Sequence, residues 1–190
     1  MVTLRRSIAF AVAALIAGIG GYLAAAHLPT DTQRASTHAP AFTESKWPFP
    51  IDEWGDGWAY QCKAADCGTE VNLYLRPKIG FCNCQTGVAD DTELARVSDL
   101  DLLGGGQTAL DPGEPITVQS MKGRSRAYKV AASPKAGSAK SVLSLAFNNR
   151  CDVVVATVIA GDQPLAQEQA VLGFLNSELM HKWTEQMLGL

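Results

Sequence analysis

Four of the five cysteines fall within 23 residues, as "CKAADC" (62–67) and "CNC" (82–84). Three chemistries suit Cys62, Cys67, Cys82 and Cys84. As thiolates in two close pairs flanking a strand and a turn, they resemble the ligand set of a zinc ribbon, although C-x4-C and C-x-C depart from the usual C-x2-C. Copper would sit more comfortably with Met or His beside the thiolates, and neither is near in sequence. As a redox pair, Cys82 and Cys84 would need an exposed thiolate of lowered pKa, normally helped by a helix N-terminus or a cation. As staples, the four would form two bridges. A direct Cys82–Cys84 bond is the strained option, so the expected cross-links join the 62–67 turn to the 82–84 turn, each contributing roughly 2–4 kcal/mol. Cys151 opens the last predicted strand on the side of Val153 and Val155, where a buried, inert thiol is expected.

The redox setting decides among these, and the other end of the chain bears on it. Arg5 and Arg6 precede residues 7–26, which carry no charge for 20 positions. At 1.5 Å per residue that length spans a bilayer as a helix. The segment reads as an uncleaved signal anchor, or as a signal peptide with Ala24 and Ala26 as its small-residue cleavage site. The positive charges before it keep residues 1–6 cytoplasmic and send the remainder outward. Residues 27–46 are polar and aperiodic, a flexible linker in which His27 and His38 are solvated. Export favours disulfides over an all-cysteine metal site. Metal is thus the alternative, zinc or copper on the same four cysteines, and no cofactor is expected otherwise.

Residues 47–190 form the expected globular domain, with a cysteine-rich first half (47–103) and a strand-rich, helix-terminated second half (115–190). "WPFPIDEWGDGWAY" (47–60) is too rich in Pro and Gly for a helix and is expected to insert its rings into the core. Val71, Leu73 and Leu75 alternate as a half-buried strand, ended by "RPKIG" as a turn. Asp90 and Glu93 form a capping-box pattern ahead of Leu94, Val97 and Leu100 at helical spacing. The acids at 90, 91, 93, 99 and 101 lack calcium-loop spacing and read as a solvated helix face. "GGGQTALDPGEP" lacks a Walker lysine and reads as a loop. Four strands follow: "ITVQSM", "RSRAYKVAA", "SVLSLAFN" and "CDVVVATVI". Short connections make them antiparallel, the last two a hairpin. Arg124, Arg126 and Tyr128 would line one face, with the acidic helix as an intramolecular counterpart. One helix over roughly 163–188 would bury Leu172, Leu175, Leu179 and Trp183 and end at Gly189, with His181 at the surface. The fold class is α+β: an antiparallel sheet with a long C-terminal helix packed on it.

The order of strands, hairpin and C-terminal helix over residues 115–188 resembles the PsbP and Mog1 class of α/β/α sandwiches, a likeness that implies no activity or site. "CKAADCGTEVNLYLRPKIGFCNC", "TGVADD", "NNRCDVVVAT" and "FLNSELMHKWTEQMLGL" are similar to membrane-anchored alphaproteobacterial proteins of unassigned function. That resemblance implies a bacterial inner-membrane protein, single-pass, with its C-terminal domain in the periplasm, or a periplasmic one if residues 1–26 are removed. A net charge of −3, from 16 basic and 19 acidic residues, gives nucleic acid no basic patch to bind. Nucleophile elbows, paired catalytic histidines and nucleotide loops are not evident. The expected function is a non-enzymatic binding or accessory module for another envelope or inner-membrane protein. The alternative is an envelope thiol-redox or metal-handling protein.

Overall fold

The computed structural model describes residues 41–132, 137–161 and 164–190. The predicted cytoplasmic N-terminus (1–6), signal segment (7–26) and most of the linker lie outside the described residues. Among those described, no helix is long and apolar enough to cross a membrane.

The strands are β1 (Phe42–Ser45), β2 (Trp58–Cys62), β3 (Val71–Lys78), β4 (Gln107–Ala109), β5 (Glu114–Val118), β6 (Met121–Val130), β7 (Lys140–Asn149) and β8 (Asp152–Ile159). They form one sheet in the order β1-β2-β3-β8-β7-β6-β4, with β5 also paired to β6. Every pairing is antiparallel. The helices are α1 (Ala64–Cys67), α2 (Asp91–Val97), α3 (Glu168–Leu175) and α4 (Glu178–Leu188). Turns of 3-10 helix occur at Leu100–Leu103 and Pro164–Gln167.

Alternation along the strands gives the sheet two unlike faces. On one, Leu73, Leu145, Phe147 and Val158 pack against Val171 and Leu175 of α3 and Met180 and Leu188 of α4. On the other, α2 lays Leu94 and Val97 on Ala146, Val153 and Val155, and the following 3-10 turn lays Leu100 and Leu103 on Tyr128, Val130 and Val142. That second face also carries the buried Arg76, Lys78, Ser144 and Thr157.

The antiparallel α+β class holds, but the single long C-terminal helix does not. α3 ends at Leu175, where the Asn176 side-chain amide donates to the Leu172 carbonyl at 2.8 Å. Ser177 then starts α4 as its N-cap, its hydroxyl accepting from Met180 N–H at 3.3 Å. Short polar side chains that bond nearby backbone compete with a continuous helix and favour its ends. The break shifts the register, so Met180, Thr184 and Leu188 are buried while Leu179 is 61% exposed. Gly189 closes α4 in the left-handed conformation, as expected.

Two further boundaries move. Phe42–Ser45, assigned to the flexible linker, is an edge strand along β2. β3 runs through the predicted turn as far as Lys78. Pro77 is tolerated because β2 pairs only as far as Leu75, leaving one side of β3 open there.

Candidate functional site

β3 turns Arg76 and Lys78 onto the polar face, and the chain covers both with segments from either side. Arg76 is 1% exposed. Its guanidinium grips Asp99 with two bonds, from Nε at 3.0 Å and Nη2 at 2.8 Å. Its Nη1 donates to Asp52 at 2.6 Å. Lys78 Nζ donates to the Val97 carbonyl at 2.7 Å and lies 2.9 Å from Asp99. A cation at the last carbonyls of α2 is matched to that end of the helix dipole. Asp52 sits in a tight turn, where it also accepts the Trp54 N–H at 2.9 Å. Burial alone would raise the Asp52 carboxyl, but the bonds from Arg76 and Trp54 prevail and hold it below the ordinary range. The same two carboxylates push the Arg76 guanidinium up against its desolvation.

Aromatic rings enclose this network. Trp47 lies 5.5 Å from the Arg76 guanidinium, and Lys78 Nζ sits 5.6 Å from Trp54 and 5.2 Å from Phe81. Trp47, Phe49 and Tyr74 meet edge to face. The expectation that rings of the 47–60 segment pack into the core holds for Phe49, Trp58 and Tyr60, with Trp58 meeting Trp183, whereas Trp47 and Trp54 stay part-exposed over the ion pairs. Gly57 is required by this packing: a Cβ there would come within 2.3 Å of the Trp47 ring and 2.6 Å of the Leu75 carbonyl. The whole opens as a cleft of about 400 Å³, with the ion pairs as floor, the Trp54–Phe81 pair as wall and Ile51 at the rim, 71% exposed.

The other end of α2 is held in the same manner. Asp90 caps it, accepting from Glu93 N–H at 2.8 Å. The reciprocal half of the predicted capping box is absent. Glu93 instead accepts from Asn83 N–H at 2.7 Å and pairs with Arg96. Asp91 takes the Arg124 guanidinium, with Arg126 3.3 Å away. The bond from Arg124 holds the Asp91 carboxyl low. The expected pairing of the basic stripe with the acidic helix is thus present. The reading of the acids as a solvated face fails at Asp99, which is buried, and at Asp91.

The cysteines pair differently from expectation. Cys62 bonds Cys67, and Cys84 bonds Cys151, with Cα separations of 6.0 and 4.2 Å. The two turns are therefore not cross-linked to each other, and Cys151 is not a free thiol. Cys82 is the free, buried one. The cause is the β3–β8 pairing. Lys78 lies opposite Val153, so the residues after Lys78 run beside those before Val153. Cys82 N–H donates to the Cys151 carbonyl at 3.0 Å, and its thiol contacts the Arg150 carbonyl at 3.1 Å. Cys62 is left to close a short loop around α1. Three of the four proposed zinc or copper ligands are thereby consumed in disulfides. Among the described residues no group of three or more Cys, His, Asp or Glu is placed to hold a metal. His181 is exposed as expected, contacting Gln119 and Glu185.

Sequence reasoning missed Arg76, Lys78 and Asp52. The available signal was a strand whose polar positions were charged at both 76 and 78, opposite a turn rich in acids and aromatics.

No family model matches the chain, and no curated protein matches it. Among solved structures, a crystal structure of a protein of unknown function, PA94 from Pseudomonas aeruginosa, is similar over 75% of this chain and 85% of its own. The identity is 13% and the TM-score 0.38.

Proposed function

We propose that this chain is an exported, membrane-tethered domain, stabilised by two disulfides, that binds another envelope protein as an accessory rather than transforming a substrate. The observation that carries the reading is the cleft beside β3. Its buried charges are paired among themselves, while the exposed Ile51 and the part-exposed Trp54–Phe81 pair line the opening. An internally neutralised floor beside Ile51, Trp54 and Phe81, with the exposed charges of Glu53, Arg96 and Asp101 around the mouth, suits recognition of an apolar side chain flanked by polar groups on a partner, since interfaces combine an apolar anchor with a polar rim. The uncharged residues 7–26 supply the tether, and the cysteine pairing suits an oxidising periplasm.

The test is photo-cross-linking from position 51 in intact cells, followed by detergent extraction. A discrete adduct is expected, reduced at least tenfold by Trp54→Ala and unchanged by Leu165→Lys on a distant surface. A chain that emerges alone from such extracts and turns over a substrate would sink the reading.

A further inference from the structure

The free Cys82 thiol stands two residues before the Cys84–Cys151 bond and is joined to Cys151 through the backbone. Cys84 is exposed, Cys151 half-buried and Cys82 5% exposed. The Cys82 N–H to Cys151 carbonyl bond of 3.0 Å fixes how far apart these two residues can lie. Adding standard N–Cα and Cα···O lengths limits their Cα separation to about 7 Å, the distance beyond which two cysteines cannot be bridged. Cys82 and Cys84 are two residues apart on one segment, and the Cys82 side chain lies in the apolar cluster with Leu94, Val97 and Val153, so its sulfur must turn out of that cluster to meet Cys151. Arg150, just before Cys151, has a φ of 54°. A non-glycine residue held there is a local departure that the surroundings must support.

We propose that the disulfide migrates from Cys84–Cys151 to Cys82–Cys151, making Cys84 a surface thiol for disulfide exchange with a partner. Once the Cys82 side chain turns out to solvent its thiol loses a proton to water, and its sulfur attacks Cys151 Sγ. The Cys84–Cys151 bond breaks, and its electron pair leaves on Cys84, which takes up a proton. One disulfide and one thiol remain, so no oxidant is consumed. The buried Cys82 is thereby covered by its own bond. The released Cys84 thiol faces a groove of about 620 Å³ that also carries Lys122, Arg150, His181 and Glu185. There it can attack a disulfide of the class R–S–S–R, forming R–S–S–Cys84 and releasing R–SH. Burial, with Glu93 on α2 and Asp152 on β8, pushes the Cys82 thiol up against the opposing charge of Arg96. The migration therefore quickens as pH rises, because the thiolate is the attacking form.

The test traps thiols of the full, unreduced chain with N-ethylmaleimide after incubation at neutral and alkaline pH, then maps non-reduced peptides. Label on Cys84 together with a Cys82–Cys151 peptide is expected, and Cys82→Ser should lower the Cys84 label at least tenfold. Cys84→Ser, held in a glutathione redox buffer, should form Cys82–Cys151 and show no labelled thiol. Label confined to Cys82 in the parent chain, or Cys84 label that survives in Cys82→Ser, would overturn the proposal. So would two labelled thiols in folded Cys84→Ser.

Discussion

The two faces of the sheet solve the same problem with opposite chemistry. Under α3 and α4 the contacts are apolar, and Phe147, Leu145 and Leu175 are buried side by side. Under α2 the contact is a strip of Leu and Val held at both ends by ions, Asp91 to Arg124 at one and Asp99 to Arg76 and Lys78 at the other. Apolar burial is non-directional and tolerates sliding. Bidentate ion pairs fix orientation but lose their value when one member is removed. The first face thus supplies bulk stability, and the second sets the position of the loops that form the cleft.

The largest effects should come from breaking that contrast. Arg76→Met leaves Asp99 without its main partner, and the expected loss is about 3–5 kcal/mol in urea unfolding. Replacing the buried members together, as Arg76→Met with Lys78→Met and Asp99→Leu, should restore most of that stability, because the desolvation of all three charges is avoided and only the part-exposed Asp52 is left unpaired. Phe147→Ala on the apolar face should also cost about 3–5 kcal/mol, with no such rescue from a second substitution. A triple variant as unstable as Arg76→Met alone would show that the ions contribute to stability rather than placement.

The disulfides sharpen the comparison at somewhat smaller scale. Cys84–Cys151 closes a sequence separation of 67, and Cys62–Cys67 one of 5. Chain-entropy estimates put their contributions at about 4 and about 2 kcal/mol. Cys151→Ala should therefore lower stability about twice as much as Cys67→Ala under non-reducing conditions.

Acid should then act on the ionic face first. Asp52 and Asp91 bind protons less readily in the folded chain than in the unfolded one. Their contribution is full above the ordinary carboxyl range near pH 4 and is lost as pH falls through their lowered values. In a Trp58→Phe, Trp183→Phe variant, which keeps only Trp47 and Trp54 beside the ions, tryptophan fluorescence should change at a higher pH than far-ultraviolet circular dichroism. Coincident transitions would deny the two faces separate behaviour. The smallest effect belongs to Ser177→Ala, which removes the α4 cap for about 1 kcal/mol without touching the cleft.

Where local pattern decides structure, the residues were readable. The alternation at Val71, Leu73 and Leu75, the Asp90 cap, the β7–β8 hairpin and the Gly189 stop all follow from neighbours in sequence. The Asn176–Ser177 break was also local, yet the apolar spacing ran through it and masked two capping side chains. The cysteine pairing and the Arg76 network depend on β8 lying beside β3, a contact between residues some 80 apart along the chain. No periodicity encodes such a neighbour, so Cys84 could not be matched to Cys151, nor Asp99 placed over Arg76, before the strand order was known.

That strand order also governs timing. β8 is the last strand in the sequence, yet it lies in the interior of the sheet between β3 and β7. In any chain delivered from its N-terminus, the β1–β3 part and the β4–β7 part must wait, unjoined, until residues 152–159 arrive. Cys84 waits with them, with Cys62, Cys67 and Cys82 as wrong partners already within reach. The short Cys62–Cys67 loop can close early and remove two of those three competitors before Cys151 appears.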